Sequence, residues 1–532
     1  MKNIKKIAFI LTAALFTSSA IVSCRQDFNE LNENPNNPES PLTYGVFNYA
    51  NRVVADGTRN SFESARVTLP WMQYSAQTAY NDEDKYAYRL TSGDALWTQL
   101  YTAASNYKKV IDMNTDPETA AASSAYGSNA NQIAASRVML SYVFLNLADS
   151  FGDIPYYSYG NDDPDFQALN VNEFLKPKFV SQVKVYGDIL KELKEASEMI
   201  EGSEPVFAPA DVLFQGNAGK LKKFANSLRL RVATRVKGVV PGAEAHIADA
   251  IAQGVMTSNA DNVGVKYENN LTNPSPMYND FRTRSDFSVS KTFIDLLKGN
   301  TGAFGVDPRL FKYATPQGTS KATILNGTYV ESTDLTKYVG MPYGLPEDFQ
   351  ASQAVVGNNF FSKYVYRQDY TELFMEYSEV EFLLSEANGW SQTNYQNGVK
   401  ASMLKWGVTE AAANTFVATL PAATAATVLT QKYVALFMQP YEAWAEYRRT
   451  GYPDTSILVL PGETASLLVP IPDTGETTYT FTPLVTGLTD IPARLYYPTV
   501  IKTLNPENYA SASAALGSGG DKLTTKLIWD KN

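Results

Sequence analysis

Two residue types central to nucleophilic and general-base chemistry occur once each, as Cys24 and His246. No disulfide can form within the chain. Every Ser-His or Cys-His catalytic set would have to use His246, which sits in a helix-like run over residues 243–252 and reads as an ordinary helix residue. Carboxylates are plentiful, with 55 Asp and Glu, and two of them suffice for glycoside hydrolysis. Glu442 and Glu446 share one face of a predicted helix. As an acid/base pair they would need one raised pKa in a cleft; as structure, Glu446 pairs with Arg449 or either Glu with a neighbouring helix. The acidic clusters Asp82-Glu83-Asp84 and Asp162-Asp163-Pro164-Asp165 lack the alternating spacing and glycine of a calcium loop, and no glycine-rich phosphate loop is present, so no metal or other cofactor is expected.

Aromatic residues carry the stronger signal. The chain has 33 Tyr and 6 Trp, and Tyr80, Tyr86, Tyr88, Tyr278, Phe281, Tyr338 and Tyr343 fall outside the helical stripes. Flat rings stack on the apolar faces of sugars while phenols bond their hydroxyls. Residues 81–85 read as too polar to be buried. In the irregular stretch 273–286, Tyr278 and Phe281 precede Arg282 and Arg284, whose guanidinium forks suit paired hydroxyls or a carboxylate. Tyr80, Tyr86, Tyr88, Tyr278, Phe281 and Arg282 are therefore expected to share one shallow, exposed ligand site.

The elements that must position these residues are mostly helical. In residues 431–453, Tyr433, Phe437, Tyr441, Trp444 and Arg448 recur at helical spacing, so they lie on one face, with a kink expected at Pro440 and a stop at Gly451 and Pro453. Residues 94–114 carry Leu96, Leu100, Tyr107 and Ile111. Residues 131–150 are apolar nearly all round and predict a buried helix that Gly152 and Pro155 close. Residues 179–200 predict an amphipathic helix with Lys184, Lys191, Glu192, Lys194 and Glu195 on a solvated face. The basic run 222–231 opens another helix and is expected to salt-bridge its neighbours. Residues 372–388 read as helix, and 466–472 and 477–482 as short strands. The formal net charge of −10 argues against nucleic acid and against charge-driven adhesion to an anionic membrane.

The first residues form an address. Lys2, Lys5 and Lys6 precede an apolar run over 7–20, too short to span a bilayer comfortably. Ile21-Val22-Ser23-Cys24 resembles a bacterial lipobox, which makes 1–23 a lipoprotein signal peptide and Cys24 the lipidated residue. Several acyl chains there would anchor firmly, at about 0.8 kcal/mol per buried methylene. Residues 24–60, rich at first in Asn and Pro, are expected to form an extended leader ahead of a single domain over 61–532. Cys24→Ala is expected to yield unlipidated protein that leaves the membrane fraction; continued palmitate labelling of that variant would overturn the assignment.

Taken together and in order, these stretches resemble the SusD/RagB family in its SusD-like branch. The resemblance rests on the Tyr433–Arg448 stripe, Asn34-Pro35-Asn36, Phe151-Gly152-Asp153-Ile154-Pro155, the 222–231 run, the order Asn273-Pro274 to Asp307-Pro308-Arg309, and the tail with Tyr496-Tyr497-Pro498 and Trp529. It implies a mainly α fold: about four tetratricopeptide-like helix pairs wrapped by a loop-rich region with a few short strands. It also implies an outer-membrane, surface-exposed lipoprotein. Such a protein captures a nutrient, most often a glycan, and delivers it to a SusC-like TonB-dependent transporter, with loops from the regions named above forming the site. A lipid-anchored polymer hydrolase and a scaffold without small ligand are the alternatives.

Overall fold

A computed structural model describes residues 41–208 and 210–531. Cys24 and the expected signal peptide lie outside the described residues. The part of the expected leader that is described is helical: α1, Thr43–Thr58, buries Phe47, Ala50, Val54 and Ala55. The Asn- and Pro-rich composition ends before it, and an apolar residue at every third or fourth position gives α1 a face to bury.

Helices α2 (Asp94–Thr115), α3 (Asn129–Phe151), α4 (Gln182–Glu198), α5 (Ala218–Arg235) and α6 (Ala243–Gln253) follow, each packed on its predecessor. Stacked helix pairs of this kind build a continuous core between neighbours. The α2 stripe is buried as expected. Helix α3 is buried on nearly all sides and ends where Gly152 takes φ 95°. In α4 the stripe is displaced: Val183 is 42% exposed. Glu192, expected in solvent, is buried because the Arg137 Nε donates to it at 2.8 Å.

Short strands join the loop-rich parts. Strand β1 (Ser75–Gln77) pairs antiparallel with β3 (Phe287–Val289). Strand β2 (Val263–Lys266) pairs with β4 (Thr371–Met375), with Lys266 opposite Thr371. Residues 372–375, expected to open a helix over 372–388, are thus strand; the helix α8 starts later, at Tyr377–Ala387. Gly264 is required there, since a Cβ on it would lie 2.4 Å from the Glu372 carbonyl oxygen. Helix α7 (Pro276–Thr283) lies between β2 and β3, and α9 (Gln392–Lys405) packs on α8. Residues 464–466 and 478–480 form a further hairpin, close to the expected strands.

The aromatic stripe of 431–453 is divided between α10 (Ala425–Ala435) and α11 (Pro440–Thr450). Pro440 begins a new helix instead of kinking one, because its missing N–H costs nothing at a first helical position. Met438 turns the chain with φ 70°. Tyr433, Phe437, Tyr441, Trp444 and Arg448 are nonetheless all buried.

Around α11 the core holds charge. Arg231 grips Glu379 through Nε at 2.7 Å and Nη2 at 2.5 Å. Arg235 bonds Asp149 and Glu442, and Glu446 bonds Lys432 at 3.1 Å and also Arg449. Burial acts to raise both carboxyls of α11. The Arg231 and Arg235 charges nevertheless hold Glu442 below the usual range, and Arg449 and Lys432 do the same for Glu446. The basic run of α5 therefore serves ion pairing. Among the described residues no helix is long and apolar enough to cross a membrane, and no group of three or more His, Cys, Asp or Glu is placed to hold a metal.

Two carboxyls behave oppositely. Burial pushes Glu63 and Glu372 from 4.5 up to about 8, against a bond from Tyr441 to Glu63 and the Arg59 charge near Glu372. The folded chain keeps these protons until the pH nears 8, whereas the unfolded chain releases them near 4.5. The unfolded state binds fewer protons across that window, so each group lowers stability as pH rises, by up to about 1.4 kcal/mol per pH unit. Glu372→Gln is expected to lose less melting temperature than the parent between about pH 5 and 8. Parallel profiles would mean that Glu372 is ionised when folded.

Candidate functional site

Two adjoining cavities, of about 500 Å³ and about 380 Å³, make up a grooved region and share Tyr364, Arg367 and Asp369 as lining. The first is floored by β4 through Thr371 and Leu373 and walled by Lys266 at the end of β2 and by Lys405 and Trp406 at the end of α9. The second is walled by Tyr278 of α7, Tyr366, Lys363 and the 324–327 turn. Segments distant in sequence meet here because the β2–β4 pairing carries residues 364–370 alongside α7. The Ser275 N–H donates to the Gln368 carbonyl at 2.8 Å, and the Ser275 hydroxyl to the Arg367 carbonyl at 2.9 Å.

The wall is aromatic and tightly held. Tyr278, Tyr366, Tyr370 and Trp406 are each no more than 8% exposed. Trp406 packs edge-on to Tyr313 at 4.9 Å and lies 5.5 Å from Phe437, with the Lys405 ammonium 4.2 Å over its ring. Tyr364, half-buried, is the most open ring. Its hydroxyl donates to Glu331 at 2.6 Å and accepts from Lys312 at 3.1 Å. Gln368 donates to the Tyr278 hydroxyl at 3.1 Å. The Arg367 fork holds Asp369 through Nε at 2.6 Å and Nη2 at 2.8 Å. Those bonds keep the Asp369 carboxyl below the usual range.

The six residues expected to share one exposed site are dispersed. Tyr278 lines the groove. Phe281 does not face a ligand: it is buried and stacks flat on Tyr366 at 3.8 Å, backing a groove ring from behind. Tyr86 and Tyr88 are core residues packed on Trp71, and Tyr86 also on Phe481. The polar run before them is partly buried and finds partners both near and far in sequence. Asn81 donates to the Leu345 carbonyl at 2.7 Å, and Asp84 accepts from the Gln77 N–H at 2.8 Å. Arg282 is exposed and lines a separate polar cleft of about 410 Å³ with Arg52 and Asp280. Tyr80 is 70% exposed, takes φ 57° and lies under the Arg284 guanidinium. The 78–80 and 284–286 loops do adjoin, as the Thr78 N–H donates to the Asp286 carbonyl at 2.6 Å.

The 364–371 segment and Trp406 were missed. Tyr364, Tyr366 and Tyr370 crowd three rings into one short, turn-rich loop. That pattern was the available signal.

A family model described as "Starch-binding associating with outer membrane" matches residues 35–471, and another, "Susd and RagB outer membrane lipoprotein", matches 422–530. No curated protein sequence matches the chain. Among solved structures, a chitin-binding protein aligns with a TM-score of 0.70 and 25% identity over 92% of this chain and 100% of its own. A SusD homologue from Bacteroides fragilis aligns at 0.70 and 23% identity, over 91% and 100%. Another, from Bacteroides thetaiotaomicron, aligns at 0.68 and 20%, over 93% and 100%. Both homologues share the helix-pair fold. With one family model spanning most of the sequence and a second taking in its tail, the chain belongs to the SusD-like family of outer-membrane lipoproteins.

Proposed function

We propose that the protein captures an oligosaccharide at the cell surface in the groove between Tyr278 and Trp406. It then hands the sugar to a SusC-like TonB-dependent transporter, with the lipid on Cys24 as its tether. The observation that carries the reading is a pair of adjoining cavities lined by five aromatic residues among a few fixed polar groups. That combination suits the alternating apolar faces and hydroxyl edges of sugars. The chitin-binding structural neighbour supports a glycan as the ligand class.

Binding without turnover accounts for the chemistry better than hydrolysis. Glycoside cleavage needs two carboxylates flanking the bond, one with a raised pKa. The groove lining offers Asp369 alone, held ionised by Arg367. Glu442 and Glu446 sit in the buried charge cluster instead. Tyr364→Ala is expected to weaken binding of a recognised oligosaccharide by about 0.5–1.5 kcal/mol, leaving the fold intact. Glycan-array screening followed by calorimetry of parent and variant checks this. Equal affinities would remove the groove from consideration, and release of shortened product would favour the hydrolase.

A further inference from the structure

The chain as a whole is acidic, yet the middle of the groove is not. On one flank of Tyr364, Lys312 and Lys363 lie 2.8 Å and 3.7 Å from a single carboxylate, Glu331. On the other, Arg367 and Lys266 face a single carboxylate, Asp369, which Arg367 grips and whose ionised form Lys266 also favours. Each flank thus holds two cations for one anion. Lys405 adds nothing to this surplus. It lies 3.5 Å from Glu376 and ends α9, where a cation complements the helix dipole.

The surplus is open to solvent at Arg367 and Lys266, whereas the Lys312 and Lys363 side chains are 17% and 24% exposed. Lys266 is exposed at the end of β2, and the Arg367 side chain is 52% exposed. Two of the five guanidinium N–H donors of Arg367 go to Asp369, which leaves the others for a ligand oxygen. A local positive field on a chain of net charge −10 concentrates anions at that spot and repels them elsewhere. Tyr364, the most open ring, sits between the two flanks.

We infer that the ligand is an acidic oligosaccharide, seated with one sugar on Tyr364 and carboxylate or sulfate substituents reaching Lys363 on one side and Arg367 with Lys266 on the other. This rests on the capture reading above and narrows it. The anionic oxygens accept from ammonium and guanidinium groups, and the Arg367 fork suits either substituent. Neutral glycans leave the surplus cation of each flank without a counter-charge.

The test uses the purified full-length chain and three oligosaccharides of matched length: an oligogalacturonate carrying carboxylates, a sulfated galactan fragment without carboxylates, and neutral cello-oligosaccharide. Binding is measured by calorimetry, in low and moderate salt. One or both acidic probes are expected to bind, and which of them does identifies the substituent. Affinity is expected to fall about tenfold when sodium chloride rises from about 50 to 300 mM. Lys266→Gln and Lys363→Gln, both near the surface, are each expected to weaken acidic binding about two- to fivefold at unchanged melting temperature. The inference falls if the neutral probe binds as well as the acidic ones, loses affinity on Tyr364→Ala, and ignores both salt and the lysine substitutions; capture in the groove would then stand. Failure of every probe, and of a wider glycan array, overturns both.

Discussion

Trp444→Ala is expected to lower the unfolding free energy by about 3–5 kcal/mol. The side chain is wholly buried, edge-on to Trp71 at 5.4 Å, with the Arg448 guanidinium 3.6 Å over its face. Its indole N–H donates to the Pro492 carbonyl at 2.7 Å. Truncation would open a cavity between α11 and the turn before β1, leave the Arg448 cation with Trp529 as its remaining aromatic partner and leave a carbonyl unpaired, and these losses fall on one site. Trp444→Phe keeps most of the volume and is expected to cost less. Denaturant titration of both variants separates the terms, with oligosaccharide affinity of the folded protein unchanged, since Trp444 lies outside the groove. A variant of parental stability that no longer binds would place Trp444 in the ligand site.

Arg231→Met is expected to cost a similar amount, about 3–5 kcal/mol, because Glu379 would remain buried without its partner. Both side chains are at most 3% exposed. Burial already acts to raise the Glu379 carboxyl, and the Arg231 charge opposes that rise. Removing Arg231 would also free the Phe374 carbonyl, which its Nη2 holds at 3.1 Å at the inner end of β4. The double substitution Arg231→Met/Glu379→Leu is expected to recover part of the loss, since apolar replacement of a buried pair is often close to neutral. Denaturant midpoints of the single and double variants decide. A single variant no worse than a surface change would mean that water reaches the pair.

The long helices were legible because their burial is written in local periodicity: α2 and α3 lie within a residue or two of their expected ends. The family pattern was legible for the same reason, as it resides in such runs. What was not legible depends on distant partners. Phe374 fits a helical stripe, but β2 arrives beside it and its backbone pairs as strand. Asn81 looks solvent-bound until the Leu345 carbonyl, far along the chain, takes its amide. Loop aromatics drew attention to Tyr86 and Phe281, yet nothing local tells a ring that lines a groove from one that props up its lining. The groove itself is assembled from residues 266, 278, 364–371 and 405–407, which no window along the chain brings together.

The C-terminal segment ties off the first half of the molecule. The Trp529 indole donates to Tyr186 of α4, Arg494 caps the Phe151 carbonyl at the end of α3, and the Tyr497 hydroxyl donates to the Asp153 carbonyl. Such contacts span more than three hundred residues. A chain under synthesis cannot make them until nearly its whole length has been translated, at about 5–20 residues per second. The apolar and charged surface around Asp149 and Tyr186 therefore stays open until then, and folding to completion waits for the last segment.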